Sequence, residues 1–153
     1  MQTSVSTDRT RKWQRFYALI TALAGVGVLL SSVSLYHHLS TSKGSFCNLS
    51  ESFNCDLVNR SPYSTFHGLP VALIGIIGYV LLLMLATLYR QKPETPIMLL
   101  AASIGGTCFA LYLTYLEGYV IHAWCILCLS SLVDITLIAV LSAAVVKLDL
   151  RSR

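Results

Sequence analysis

The stretch CILCLSSLVDITLIAVLSAAVV (residues 125–146) is largely apolar, and it begins with two cysteines three positions apart. A helix of about 20 such residues, rising about 1.5 Å per residue, crosses the roughly 30 Å hydrocarbon core of a bilayer. The stretch is therefore a predicted membrane span with a thiol pair at one end. The rest of the chain decides how many spans accompany it and which compartment the thiols face.

Three further apolar stretches, at residues 16–36, 70–89 and 97–116, are long enough to span a membrane. Of the 153 residues, 55% are apolar and 12% charged, and the mean hydropathy is +0.67. This composition leaves too few charged side chains to cover a soluble domain of this size. Because lipid cannot satisfy backbone hydrogen bonds, helices rather than open sheets must form the spans. We predict an all-α, polytopic four-helix membrane bundle, with residues 1–153 forming one membrane domain.

The basic residues predict the orientation of this bundle. Nine of the eleven lie before the first span, between the second and third, or after the fourth: Arg9, Arg11, Lys12, Arg15, Arg90, Lys92, Lys147, Arg151 and Arg153. Cytosolic loops carry such an excess, so both termini are expected in the cytosol. The loop 37–69 and the turn EGYVIHAW (residues 117–124) then face the far side. This distribution explains the net charge of +4 without a nucleic-acid partner.

A basic N-terminus followed by an apolar run is also typical of a signal peptide. Here the apolar run is longer than the core of a signal peptide and lacks a convincing cleavage site, which favours a first membrane span.

Four of the five cysteines fall on the predicted far side. Cys47 and Cys55 lie in the long loop, whereas Cys125 and Cys128 open the last span. The far side of a plasma membrane and the lumen of the endoplasmic reticulum both favour disulfides. Cys125 and Cys128 share one face of a first helical turn, where unpaired N–H groups and the helix dipole favour a thiolate, while apolar surroundings have the opposite effect and raise the thiol pKa.

Three functions are compatible with such a pair. A zinc site needs four ligands, but the Cys47-x7-Cys55 spacing is not that of a zinc knuckle, and we expect no metal. A structural disulfide gains stability by closing a long loop, whereas Cys-x-x-Cys closes almost none. Thiol–disulfide exchange fits the position at a helix N-terminus, because the thiolate is the attacking species. Residue patterns alone leave redox chemistry and a structural disulfide both open.

The order of motifs resembles the vitamin K epoxide reductase family. Cys47-x7-Cys55 is followed by Ser61, by GLPVALIGIIGY (residues 68–79), and by Cys125-Ile-Leu-Cys128 at the start of the last span. The segment SPYSTFHGLPVALIGIIGY (residues 61–79) is similar to the bacterial-type members in particular. The resemblance extends from about residue 16 to residue 146.

The resemblance implies a path for electrons. A thioredoxin-fold thiol oxidase on the non-cytosolic side would pass electrons to the Cys47–Cys55 disulfide, with Cys47 meeting the partner. Cys55 would exchange with Cys125, and Cys128 would reduce a membrane quinone such as ubiquinone or menaquinone. The function implied is disulfide bond formation by a quinone-dependent membrane oxidoreductase. Similarity to bacterial-type members favours the bacterial cytoplasmic membrane over the endoplasmic reticulum.

The sequence departs from the vertebrate enzymes of the family at two positions. Leu132 stands where those enzymes place a quinone-contacting tyrosine, and residues 71–88 contain no asparagine where they use one. Thiol-coupled quinone reduction is therefore expected rather than epoxide reduction. The alternative to an enzyme is a non-catalytic four-span membrane scaffold whose outer disulfides are structural.

Three further residues are singled out. Ser61 matches the family serine expected near the quinone or the loop cysteines, although a turn before Pro62 would also explain it. Asp134 is a carboxylate within a span, where a charge costs about 2.5–3.5 kcal/mol on insertion scales. It is a candidate for quinone binding or proton supply, or it bonds to a neighbouring helix. Cys108, within the third span, is expected to be a small buried apolar residue.

Overall fold

The computed structural model describes residues 2–39, 48–50, 53, 54, 58, 61, 64–66 and 68–150. Within these residues there are four long helices, which confirms the predicted all-α bundle. They are α1 (Gln2–Leu39), α2 (Val71–Thr87), α3 (Thr95–Leu116) and α4 (Ile126–Leu150). Between α1 and α2 lie the short strands β1 (Asn48–Ser50), β2 (Phe53–Asn54), β3 (Thr65–Phe66) and β4 (Leu69–Pro70).

Three helical segments are long and apolar enough to cross a membrane: Arg11–Leu39, Thr95–Ile121 and Ile126–Leu150. The second predicted span is a shorter apolar helix of 17 residues, α2, which measures about 26 Å at 1.5 Å per residue. Helix α1 begins well before the predicted boundary at residue 16. Hydropathy locates the apolar part of a helix, whereas good helix formers such as arginine, lysine and glutamine allow it to continue into water.

The four helices surround one apolar core. Helix α1 packs against α2 and α4, and α3 packs against α4 and α2. The core contains large side chains from every helix, including Ile20, Leu82, Leu99 and Ile138. Many other large apolar side chains point outward, among them Leu29, Ile77, Leu111 and Val140. An outward apolar surface of this kind is expected where helices face lipid tails.

The inner face of α1 is built mainly from small residues. Ala24, Gly27, Ser31 and Ser34 are buried at intervals of three or four positions, so they form one stripe. Small side chains let neighbouring helices approach closely in a membrane. At Gly27 the approach is so close that a methyl group would overlap the ring of Tyr79 from α2.

All four helices contribute to one end of the bundle, at which α1 and α3 end and α2 and α4 begin. We call it the cysteine end. Here β1 pairs antiparallel with β2, and β3 with β4. The second hairpin turns at Gly68, whose φ of 82° favours glycine. Cys47 and Cys55 lie outside the described residues.

Gly27→Ala should destabilise the bundle because the added methyl group has no space beside the buried Tyr79 ring. Overpacking of this kind typically costs about 1–3 kcal/mol. Gly25 is the matched control, since a methyl group there would meet nothing within 4 Å. Thermal unfolding in detergent checks the pair: Gly27→Ala should melt earlier than wild type and Gly25→Ala should not. Equal melting temperatures would show that the contact is not tight.

Candidate active site

The Cys-x-x-Cys motif forms the start of α4. The carbonyl of Cys125 accepts the N–H of Leu129 at 3.0 Å, so Cys125 is the N-cap residue and Cys128 the third residue of the helix. Both are thiols in the structure. Cys125 is fully buried, whereas Cys128 is partly accessible. Free N–H groups of the first helical turn can reach an N-cap side chain, here that of Cys125. The Cys128 side chain, at the third helical position, lacks this contact, so the two sulfurs have unequal surroundings.

These surroundings favour ionisation of Cys125. A hydrogen bond from the Cys128 thiol, with contributions from the backbone N–H groups of Cys128 and Leu127, lowers the pKa of the Cys125 thiol. Burial and the nearby carboxylate of Glu117 oppose this effect and raise the pKa, but the hydrogen bond from Cys128 is the larger influence. A lowered thiol pKa next to a second cysteine is typical of reactive Cys-x-x-Cys motifs.

A buried glutamate, absent from the residues that the sequence singled out, holds this motif in place. The Oε2 atom of Glu117 accepts the backbone N–H of Cys125 at 3.0 Å. Glu117 is only 2% exposed, and its Oε1 atom has no hydrogen-bond partner among the described residues. One carboxylate oxygen, Cys125 Sγ and Cys128 Sγ all lie within 4.8 Å of one another.

After Glu117 an unusual turn reverses the chain, so that the following residues come back into contact with Glu117. A π-helical turn, Glu117–Ile121, extends α3, and His122 then adopts a left-handed conformation with φ 55°. The backbone carbonyl of Glu117 accepts the N–H of Ala123 at 3.2 Å. Single π-turns often occur at functional sites. The turn directs the backbone so that Cys125 reaches the carboxylate of the same glutamate.

Glu117, Cys125 and Cys128 are three ligand-type side chains close together, one fewer than the four ligands that a structural zinc site requires. The sequence-based expectation of no metal stays a prediction.

Cys128 lines a cavity of about 390 Å³ that extends from the cysteine end between the helices. The cavity wall is mostly apolar. The titratable or hydroxyl-bearing residues among its described lining are Ser31, Ser34, His38, Ser61, Ser64, Tyr79, Glu117, Cys128 and Ser131. Its volume lies in the range of roughly 300–1,000 Å³ that is usual for small-molecule sites.

Glycines widen this cavity. Gly78 of α2 and Gly105 of α3 belong to its lining, and a Cβ atom at either position would meet nothing within 4 Å. A flat ring could therefore approach the backbone of both helices at these positions. Gly106 also lines the cavity, but it additionally serves helix packing, since a Cβ atom there would lie 3.0 Å from Ile135.

The loop between α1 and α2 contacts the thiol pair through Val58. This side chain is buried in a small cluster with Ala123 and Cys125, against which Cys128 also packs. The Ser61 hydroxyl lines the cavity and donates to the carbonyl of Val58 at 2.8 Å. Ser61 is therefore both a turn residue and a cavity residue, the two alternatives that the sequence had left open.

Asp134 lies deeper, behind the cavity wall. It is 5% exposed, and its Oδ2 atom has no hydrogen-bond partner among the described residues. Its carboxyl interacts with the hydroxyl of Tyr79. The same hydroxyl donates to the backbone carbonyl of Ser131 at 3.0 Å and lies 2.9 Å from its side-chain oxygen. Asp134 thus reaches the cavity through Tyr79, a residue that the sequence had not singled out.

One minor expectation is wrong. Cys108 is exposed on the outer face of α3 rather than buried. It is nevertheless useful as a control cysteine, because its side chain does not line the cavity.

A helical membrane bundle in which a thiol pair opens onto an apolar cavity is the arrangement of a membrane thiol-disulfide oxidoreductase. The model of the vitamin K epoxide reductase family matches residues 18–143. The chain belongs to this family, which confirms the resemblance found in the sequence. Members of the family are generally quinone-linked membrane oxidoreductases and generally interact with thioredoxin-like partners.

Proposed function

We propose that the chain oxidises the thiols of a thioredoxin-fold partner and passes the electrons to a membrane quinone, thereby supporting disulfide bond formation. The observation that carries this proposal is the position of the Cys125/Cys128 pair. Cys128 faces the apolar cavity, whereas Cys125 packs against Val58 of the cysteine-bearing loop. The pair therefore lies between a loop that could deliver electrons and a cavity that could hold their acceptor.

The cavity suits a quinone head group as substrate. Its wall is mainly apolar, its volume is about 390 Å³, and two glycines leave the helix backbones uncovered. At its inner wall, the hydroxyl of Tyr79 is fixed by Ser131 and Asp134, and its proton is donated to the Ser131 carbonyl, so its oxygen could accept a hydrogen bond from the hydroxyl of a quinol. Ser61 could accept a hydrogen bond at the outer end. Its own hydroxyl proton already bonds to Val58.

Chain length supports a relay from the loop. Cys55 is three residues from Val58, and three residues span at most about 10 Å when extended. Because Val58 packs in the same cluster as Cys125, the chain is short enough to bring Cys55 to Cys125.

The hairpin register supports a disulfide between the two loop cysteines. Asn48 lies opposite Asn54 in the pair of β1 and β2. If that register continued by one residue on each strand, position 47 would lie opposite position 55. Opposite residues of antiparallel strands have Cα atoms about 4.5–5.5 Å apart, a distance that a disulfide can bridge. Cys47 would then meet the partner and Cys55 would exchange with Cys125.

The proposed chemistry balances. Two partner thiols reduce the Cys47–Cys55 disulfide, and the resulting thiols reduce the Cys125–Cys128 disulfide by exchange through mixed disulfides. The reduced pair then loses two electrons and two protons to the quinone, which becomes a quinol as the Cys125–Cys128 disulfide re-forms.

The orientation follows from the charges. With nine of eleven basic residues on one side, both termini would lie in the cytosol and the cysteine end on the oxidising side. A bacterial cytoplasmic membrane is the proposed location. The apolar wall of the cavity does not distinguish ubiquinone from menaquinone, so either could be the electron acceptor.

Cys128→Ala should abolish quinone reduction because it removes the sulfur that lines the cavity. The assay follows quinol formation spectrophotometrically with dithiothreitol as the reductant and a short-chain quinone as the acceptor. Cys108→Ala is the matched control, since that cysteine lies on the outer face of α3. If Cys128→Ala turned over like Cys108→Ala, the scaffold alternative would stand instead.

Cys128→Ser should trap the relay. Without Cys128, Cys125 cannot close its own disulfide, so a Cys55–Cys125 mixed disulfide can be resolved only by Cys47, which re-forms the loop disulfide. When the variant holds the Cys47–Cys55 disulfide, attack of the Cys125 thiol on Cys55 should therefore give a Cys55–Cys125 disulfide that non-reducing gels and peptide mass spectrometry detect. Cys108→Ser should show none. Failure to detect this species in the variant would contradict the relay, even if the wild-type protein reduces quinone.

A further inference from the structure

The Glu117 carboxylate can accept more hydrogen bonds than its one structural contact uses. Its Oε2 atom alone accepts the N–H of Cys125, a task that a serine, asparagine or glutamine oxygen could perform. Its Oε1 atom is buried and without a hydrogen-bond partner in the described part of the chain. Burying an unpaired carboxylate oxygen costs free energy, so retaining one at this position needs a reason beyond holding the backbone.

The reason lies in what surrounds the carboxylate. A carboxylate oxygen is within 4.8 Å of both sulfurs, and the Glu117 side chain also lines the cavity beside Cys128. Glu117 thus lies next to both cysteine sulfurs, which must lose protons when the disulfide forms. It also lies next to the cavity, in which a quinone would gain those protons. The other titratable residues on the described lining are His38 from α1 and Tyr79 from α2.

We propose that Glu117 is the proton carrier of the Cys125/Cys128 pair. This inference rests on the proposed function and adds the group that moves the proton. In the reduced pair, Glu117 holds one of the two thiol protons, so that one sulfur is a thiolate and can attack.

The proton balance follows directly. When the pair is oxidised, the disulfide forms, two electrons pass to the quinone, and the quinol receives one proton from Glu117 and one from the remaining thiol. When the disulfide is reduced again, the two loop thiols release two protons as their own disulfide forms: Glu117 takes up one, and the sulfur of the pair that becomes a thiol takes up the other. Cys125, Cys128 and Glu117 therefore hold two protons between them in the reduced state, and both protons end on the quinol.

Glu117→Gln separates proton transfer from positioning. The amide oxygen of glutamine can still accept the Cys125 N–H, but the side chain cannot hold the thiol proton. General acid–base groups typically contribute about 10²–10⁴-fold. We expect quinone reduction by Glu117→Gln to fall at least about 100-fold at neutral pH, at an unchanged melting temperature. The loss should shrink as pH rises, because hydroxide then removes the thiol proton directly, whereas the wild-type rate should change less with pH.

The control is Glu94→Gln, which alters an exposed glutamate at the opposite end of α3 and should behave as wild type. If wild type reduces quinone and a folded Glu117→Gln variant matches its rate and pH profile, the proton-carrier inference is overturned while the proposed function stands. If wild type itself does not reduce quinone, the proposed function fails first.

If Glu117→Gln does not fold, a measurement without quinone can still test whether Glu117 gains and loses a proton as the cysteine pair is reduced and oxidised. Redox-induced infrared difference spectra of an Asp134→Asn protein, cycled between dithiothreitol and a thiol oxidant, should show a protonated-carboxyl band gained on reduction and lost on oxidation. Asp134→Asn removes the other deeply buried carboxyl of the described chain. A spectrum with no such band would overturn the inference.

Discussion

The site depends on one hydrogen bond between the end of α3 and the start of α4. The N–H of Cys125 precedes the helix and would otherwise be a buried donor without a partner, which is costly in an apolar environment. Glu117 satisfies it from the preceding element at 3.0 Å. In a capping box, a glutamate three residues into the same helix accepts the N-cap N–H, and here that position is Cys128. A glutamate from α3 therefore takes over the role, which leaves Cys128 available for chemistry.

This constraint connects the local turn to the function. The π-helical turn and the left-handed His122 bring the chain back to the residue at which α3 ended. The pair is thereby fixed at the rim of the cavity, with Cys125 buried under Val58 and Cys128 open to the interior. A thiol pair that is to link a water-facing loop with a lipid-soluble acceptor needs this division of exposure. A structural disulfide would not need a cavity on one side.

The cavity in turn depends on small residues. The stripe on α1 and the glycines on α2 and α3 bring the helices close at some levels and leave space at others. Tyr79 illustrates both effects, because its ring fits against Gly27 while its hydroxyl is tied to Ser131. The same residue, Tyr79, therefore contributes both to helix packing and to the polar inner wall of the cavity.

The sequence predicted the helices and the thiol pair because both follow from local features: apolar length, and cysteine spacing at a helix start. It did not predict Glu117 or Tyr79. An acid at the end of an apolar span resembles an ordinary interfacial residue, and only the three-dimensional return of the chain reveals that it meets Cys125. A tyrosine in a span likewise resembles lipid-facing aromatics until its neighbours are known. Glu117 does carry one usable signal, since it is an acidic residue eight positions before Cys125 in an otherwise uncharged turn.

The central claim is that the Cys125/Cys128 pair alone hands two electrons to a quinone. A single-turnover experiment on a Cys47→Ala, Cys55→Ala protein tests it most directly. The protein is reduced, freed of reductant and mixed with a short-chain quinone in a stopped-flow instrument. The account predicts one quinol per protein molecule, formed together with a Cys125–Cys128 disulfide that mass spectrometry identifies. Unreduced quinone beside two intact thiols would contradict it.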